Sequence, residues 1–251
     1  MEVHHHPQVE KKNFKEYFLE FVMIFLAVTM GFIAENIREH FSDTSKAKEY
    51  AQSLYDDFKI DTASIQRTID EKKWIMSKYD SAKNIIAFNK VTENNEFIYY
   101  IERYLADNDV FTSQDVTYQQ LRGSGNFRYF KSIALYKKIA NYFNLYSRYQ
   151  QVDGSFSNGG NGLSSEMESK IFDPEDLSGL TNDAASNFYN LELRPTNKLK
   201  PITTDEQCMK LLYTKFADAR RRSLYSLIML NILKRSSTEI IKEMKDEYRL
   251  E

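Results

Sequence analysis

Cysteine is nearly absent: the 251 residues contain one, Cys208, so neither an internal disulfide framework nor a multi-cysteine zinc site can be built. Glycine and proline are scarce too, at 8 and 4 residues, below the usual ~7% and ~5%. So few chain breakers favour long helices over many-turned β structure. Beyond the tail His4-His5-His6 there is a single histidine, His40, which excludes a Ser-His-Asp or Cys-His arrangement within the folded domain. No excess of one charge exists either. With 34 basic and 36 acidic residues the net charge is -2, so no overall basic field attracts nucleic acid, and none is expected as a partner. Internal repeats, sustained heptads and alternating strand patterns are all missing.

What is present begins with "FLEFVMIFLAVTMGFIAENIREH", residues 18 to 40. Residues 21 to 34 carry no charge, and with Glu20 tolerated near the boundary the apolar run extends from Tyr17 to Ala34. A hydrocarbon core of ~30 Å needs about 17 to 25 helical residues, so the run is just long enough. Val22, Met23, Ile24, Phe25, Leu26, Ala27, Val28, Met30, Phe32 and Ile33 cover every side of the cylinder, as contact with lipid requires. No small-residue exit follows; Glu35-Asn36-Ile37-Arg38-Glu39-His40 reads as continued helix, which argues against a cleaved signal peptide. The expected plan is a flexible tail over 1-16, a transmembrane helix and short stalk over 17-41, and a helical domain over 42-251.

Within the span, Glu20 lies about one turn inside the first interface, where it can snorkel to headgroups or face another helix. Ala27 and Gly31 form a weak small-xxx-small pair for close helix approach. Glu35 and Arg38, three apart, mark the water boundary. These five are the interaction candidates. Lys11, Lys12 and Lys15 before the span balance Arg38, Lys46 and Lys48 after it, so the positive-inside count is a tie. The expected arrangement is an uncleaved signal anchor in the inner (cytoplasmic) membrane, with the large domain periplasmic.

Ser42, Asp43, Thr44 and Ser45 supply capping side chains for a new helix. From Lys46 to Asn89, Tyr50, Leu54, Phe58, Ile65, Ile69, Met76, Tyr79 and Ile86 recur at helical spacing without Gly or Pro. "NNEFIYYIERYLADND" predicts a short helix with Phe97, Ile101, Tyr104 and Leu105 on one side. A further helix runs through Leu121 to a break at Gly123-Ser124-Gly125-Asn126, and the next begins near Phe127 and reaches about Gln150. "DGSFSNGGNG", residues 153 to 162, reads as a Gly-rich loop. Residues 164 to 202 suggest short helices with irregular chain. Thr203 to Glu206 has capping-box spacing, opening a last long helix to about Tyr248, with a bend at Ser236 to Glu239. The fold class is all-α: an N-terminal transmembrane helix followed by an antiparallel bundle of long helices packed through Tyr and Phe.

Tests for chemistry give little. His4, His5 and His6 can ligate a divalent metal, but adjacent tail ligands lack fixed geometry and supporting contacts. The glycine loop fails as a calcium loop, because Asn158 stands at the turn position and Ser164 replaces the bidentate Glu. "GSGNFRYFK" lacks phosphate-loop spacing. Asp56-Asp57 and Asp70-Glu71 point apart on a helix and read as solvated faces, and Arg220-Arg221-Arg222 fans around another. No catalytic residue and no cofactor is expected.

The stretch "TYQQLRGSGNFRYFKSIALYKKIANYFNLYSRY", residues 117 to 149, resembles a pattern in uncharacterised membrane-anchored proteins of Bacteroidota, with an aromatic, a "QL", an "SGN" turn and a helix ending in paired aromatics. The "ENIRE" and "SLYDDFKID" segments resemble theirs more loosely. The resemblance implies a single-pass, mostly helical protein and carries no activity. Gly125 and Asn126 are the residues suited to a left-handed turn, so Gly123, Gly125 and Asn126 are expected to be structural. The expected role is non-enzymatic: a scaffold or interaction module whose partners are the lipid bilayer and itself or another membrane protein of the cell envelope. The alternative is a sensor taking a small ligand between its helices.

Overall fold

The computed structural model describes residues 13–104, 110–158, 165–179 and 199–250. Every regular element among them is helical: α1 Phe14–Ala87, α2 Asn95–Tyr104, α3 Val116–Ser124, α4 Ile133–Asn158, α5 Ser165–Ile171, α6 Pro174–Gly179 and α7 Glu206–Tyr248. At 74 residues and 1.5 Å per residue, α1 is about 110 Å long. Its start is fixed by an Asn13/Glu16 capping box, and it ends where Asn89 turns left-handed and the Lys90 amide reaches back to the Ile85 carbonyl at 2.9 Å.

The expected fresh start at Ser42 to Ser45 does not occur, because α1 passes through it unbroken. Thr44 instead donates its hydroxyl to the His40 carbonyl at 2.8 Å. A hydroxyl satisfied in this way needs no helix end, and no Gly or Pro lies nearby to force one. One helix therefore carries both the apolar segment and the main strut of the domain.

Side-chain pairs fix the helix directions. Thr62 meets Ser237, Gln66 meets Lys234 and Asp80 meets Arg220, so α7 runs antiparallel to α1. Lys138 meets Glu243 and Ser226 meets Asp153, so α7 is antiparallel to α4 as well, and α1 and α4 run parallel. Around these three helices lie two apolar cores. The first joins Leu54, Phe58 and Ile65 of α1 to Ile139 and Tyr142 of α4 and to Leu233 and Ile240 of α7. The second joins Ile75 and Tyr79 to Ile98 and Tyr99 of α2, Phe172 beyond α5, and Leu212 and Phe216 of α7. Fully burying a side chain of this size contributes about 1.5–3 kcal/mol, so packing outweighs helix propensity in setting the fold.

Several local expectations change. In α2 the buried apolar residues are Ile98, Tyr99, Tyr100 and Ile101, with Phe97 only partly covered; the Tyr104 side chain and Leu105 lie outside the described residues. Gly125 does take the left-handed conformation (φ 70°) that ends α3, but Asn126 enters a right-handed 3-10 turn over Asn126–Tyr129. Phe130 is then extended, and α4 begins only at Ile133, where the Ser132 hydroxyl accepts the Leu135 amide at 3.0 Å. The Gly-rich loop begins later than 153: α4 continues through Asn158, and 159–164 lie outside the described residues. Gly154 costs a helix only about 1 kcal/mol, while Asp153 is held in the interior. Finally, α7 is capped by Asp205, which accepts the Gln207 and Cys208 amides at 2.9 and 3.4 Å, so Thr203 does not form the box. The helix runs unbroken through Ser236 to Glu239, where Ser237 is buried, donating to the Lys234 carbonyl and accepting from Thr62.

Candidate functional site

Three groups of residues have chemistry beyond packing: the apolar start of α1, the turn between α3 and α4, and a set of buried polar groups, a polar layer, set among the two cores.

The apolar start is the one helix segment among the described residues long and apolar enough to cross a membrane, and no residue of its most apolar window is buried. Phe21, Ile24, Phe25, Leu26, Val28, Met30, Phe32 and Ile33 all stand exposed. Within the uncharged residues 21 to 34 the one hydroxyl, Thr29, is satisfied by the Phe25 carbonyl at 2.7 Å. Glu20 is partly covered, while Ala27 and Gly31 are exposed, and a Cβ placed on Gly31 would meet nothing within 4 Å. Glu35 and Arg38 form a two-pronged pair, with Nε to Oε2 at 2.9 Å and Nη2 to Oε1. His4, His5 and His6 lie outside the described residues.

At the end of the domain nearest that segment, the α3–α4 turn docks onto α1. Asn126 donates its amide to the Tyr50 hydroxyl at 2.8 Å, and the Tyr129 ring sits under the Lys46 ammonium, 5.2 Å from its centroid. Tyr118 stacks on Phe143 at 3.9 Å, Phe127 contacts Tyr136, and Phe130 packs edge-on against Tyr248 at the end of α7. Thus the motif that carried the resemblance is a structural clamp joining α1, α3, α4 and α7. Gly123 lies within the last turn of α3 with open space around it; only Gly125 needs glycine's freedom of φ.

The polar layer was not foreseen. Asp61 of α1 is 1% exposed and accepts from the Ser113 hydroxyl, from the Gln114 amide at 2.8 Å and from the Tyr142 hydroxyl at 2.7 Å. Burial pushes its carboxyl above the usual range, against the downward pull of these donors. One turn earlier, burial also raises Asp57, whose Oδ2 has no hydrogen-bond partner. Further along, Asp153 accepts from Ser226 at 2.5 Å and faces the buried Lys72 ammonium at 4.0 Å. Between α2 and α7 a buried Glu102–Lys215 pair forms, and burial raises Glu102. So the carboxylate pairs are not uniformly solvated: Asp56 and Asp70 are exposed, but Asp57 is half-buried and Glu71 buried, because 3.6-residue periodicity turns the second member of each pair inward.

The sequence held a signal for these groups. Asp61 falls between Phe58 and Ile65 on the apolar stripe of α1, and Lys72 between Ile69 and Ile75, positions at which a charge must be buried and matched. Asp61, Asp153 and Glu102 each have a hydroxyl, amide or amine partner of their own, and the acids do not converge: among the described residues no group of three His, Cys, Asp or Glu side chains can hold a metal ion. The arginine triplet is distributed as well, with Arg220 paired to Asp80 at 2.6 Å, Arg221 to Asp218 at 3.0 Å, and Arg222 half-buried beside Tyr79. Comparison with known proteins returned no matching family model, no matching curated relative and no matching solved structure.

Proposed function

We propose that this chain is a membrane-anchored scaffold or interaction module of the cell envelope, with residues 17 to 34 crossing the bilayer and the bundle held beside it. The observation that carries the reading is that the wholly exposed apolar segment and the central strut of the bundle are one helix, α1. Exposed to water, those side chains would form a contiguous apolar surface far beyond the few hundred Å² that soluble monomers show; in lipid they have a matching solvent. The bundle also presents Leu224, Tyr225, Ile228 and Ile232 of α7 as an exposed apolar stripe, which favours protein contacts over a solvated monomer. The chain then works as a homo-oligomer or as an accessory subunit, with the bundle on the periplasmic side. The resemblance to membrane-anchored Bacteroidota proteins agrees with this placement.

The deciding measurement is the mass of the purified complex in detergent. A defined oligomer or a stoichiometric companion is expected. A bare monomer whose melting temperature rises with a small ligand refutes the scaffold in favour of a sensor. A reporter fused after Glu251 tests the side of the membrane, and cytoplasmic activity refutes the stated orientation.

A further inference from the structure

Between the apolar run and the bundle, α1 stands alone. From Glu35 to Lys46 no residue is buried, and Ala47 is the first that the bundle covers. The α3–α4 turn reaches α1 only at Lys46 and Tyr50. A neck of single helix, about 18 Å long, therefore separates Ala34 from the bundle.

This neck is not uniformly polar. Ile37 is 52% exposed and Phe41 69%, and the Phe41 ring meets the His40 ring of its own helix at 6.4 Å between centroids. Phe41 lies seven residues past Ala34, about 10 Å along the axis. The headgroup layer extends roughly 5–8 Å beyond the hydrocarbon, so lipid does not cover it.

Met30, Ala34, Ile37, Phe41 and Thr44 follow one another at steps of four, three, four and three residues, the spacing that keeps one side of a helix turned toward a partner helix. At about 100° per residue, Ile37, Phe41 and Thr44 fall within roughly 60° of arc, while Glu35, Glu39, Asp43 and Lys46 turn to the opposite half of the cylinder. Lys46 and Tyr50, where the chain's own α3–α4 turn docks, are on that opposite half too, so the bundle leaves the apolar side open. Arg38, at one edge of the apolar side, is engaged by Glu35 at 2.9 Å. The line ends at Lys48, which is exposed and would face a like charge in a symmetric pair.

We infer that the neck of α1, through Ile37 and Phe41, pairs in parallel with the same segment of a second copy of this chain. The pairing rests on the reading of residues 17 to 34 as a span, and it names the partner and the surface of the proposed homo-oligomer. A shared bilayer decides the occupant: it holds a second copy parallel and at the same height, so each Ile37 and each Phe41 arrives opposite its twin, as a two-fold interface requires. No charged side chain of the neck then lies in the contact. Below the neck Met30 and Ala34 continue the same line within the span, and above it the two helices part at Lys48, leaving room for the two bundles.

The test is disulfide cross-linking of the full chain in native membranes, with Cys208→Ser removing the one natural thiol. Thr44→Cys reports the apolar side without touching Ile37 or Phe41, and Glu39→Cys reports the opposite side. Under mild oxidation Thr44→Cys is expected to form a dimer about tenfold faster than Glu39→Cys, because thiols on outward sides of two helices, each about 10 Å thick, lie beyond disulfide reach. Adding Ile37→Gln/Phe41→Gln should bring Thr44→Cys down to the Glu39→Cys rate. Equal rates at the two positions, cross-linking that survives the double variant, or a disulfide formed to a different protein each overturn the inference while leaving the anchor intact. A different protein bound in stoichiometric amount with no Thr44→Cys dimer overturns it while leaving the scaffold reading standing. Release of the chain from the membranes by alkaline carbonate overturns the anchor and the inference together.

Discussion

Replacing Asp61 by Ala should be the most damaging single change to the polar layer. The carboxylate is 1% exposed and is the acceptor for three donors from two other segments: the Ser113 hydroxyl, the Gln114 amide and the Tyr142 hydroxyl. Hydrogen bonds to a charged group contribute about 1.5–3 kcal/mol each, and every buried donor left unmet costs about 1–3. The sum exceeds 5 kcal/mol, but the native carboxylate itself carries a burial cost, seen in its raised pKa, and removing it returns part of the loss. A net destabilisation of about 3–4 kcal/mol results, a large fraction of the ~5–15 kcal/mol of a typical domain. Asp61→Asn keeps an acceptor for Gln114 and offers an amide to the two hydroxyls, which can reverse their roles, so it should stay within about 1 kcal/mol of the parent. Urea unfolding in detergent, followed by far-ultraviolet circular dichroism, measures both. The reasoning is refuted if Asp61→Ala costs under 1 kcal/mol, or if Asn is as damaging as Ala, since then donor satisfaction would not be what holds the segment 113–114 to α1.

Gly125→Ala forces a Cβ into a left-handed residue (φ 70°) with open space around it, so conformation alone acts and a loss of about 1–2 kcal/mol is expected in the same assay. Lys215→Met leaves Glu102 buried without its counter-ion and should cost about 3–5 kcal/mol, whereas Lys215→Met with Glu102→Leu should recover most of it; a double variant no better than the single one contradicts the pairing. Stability should also depend on pH in two phases. The raised groups Asp57, Asp61 and Glu102 bind more protons folded than unfolded above their ordinary values of 3.8 and 4.5, so the unfolding midpoint should rise as pH falls from neutral toward that range. Below 3.8 the lowered groups Asp80, Asp173 and Asp205 lose their pairs and caps and the midpoint should drop; a monotonic decline from pH 7 downward excludes the buried-acid account.

The long helices were legible because they depend on apolar periodicity and on the scarcity of breakers, both of which are local. Leu54, Phe58, Ile65, Ile69 and Tyr79 occupy the buried face that their spacing implies. Helix ends were harder to read, since several residues in a row have the chemistry to cap and tertiary contact chooses among them: Asp205 was taken and Thr203 was not, and Thr44 found a carbonyl within an unbroken helix. The polar layer was least legible. A charge on an apolar stripe announces that something must answer it, but Ser113 and Tyr142 lie 52 and 81 residues from Asp61, and no spacing rule connects them. The Gly-rich segment misled for the opposite reason, because its composition suggested a loop from Asp153 while the pull of Ser226 and Lys72 on that residue extends α4.

The continuity of α1 changes what the polar layer does for the molecule. Were the apolar start joined to the bundle by a loop, events in the bundle would stop at the joint. Here the residues that hold the layer together, Asp61 and Lys72, lie on the same helix as Glu35, Arg38 and the apolar segment. Rigid helices carry displacement over their length, and a buried, satisfied polar network fixes one register between neighbours, because any slide of α1 against α4 or α7 would leave Asp61 or Asp153 unmatched. Apolar packing alone tolerates small slides, since one methyl contact replaces another. Matched charges do not. The layer therefore ties the position of α1 to the bundle at two separated heights, one on each side of Ile65 and Ile69, and so sets the orientation of the apolar segment relative to the α3–α4 turn.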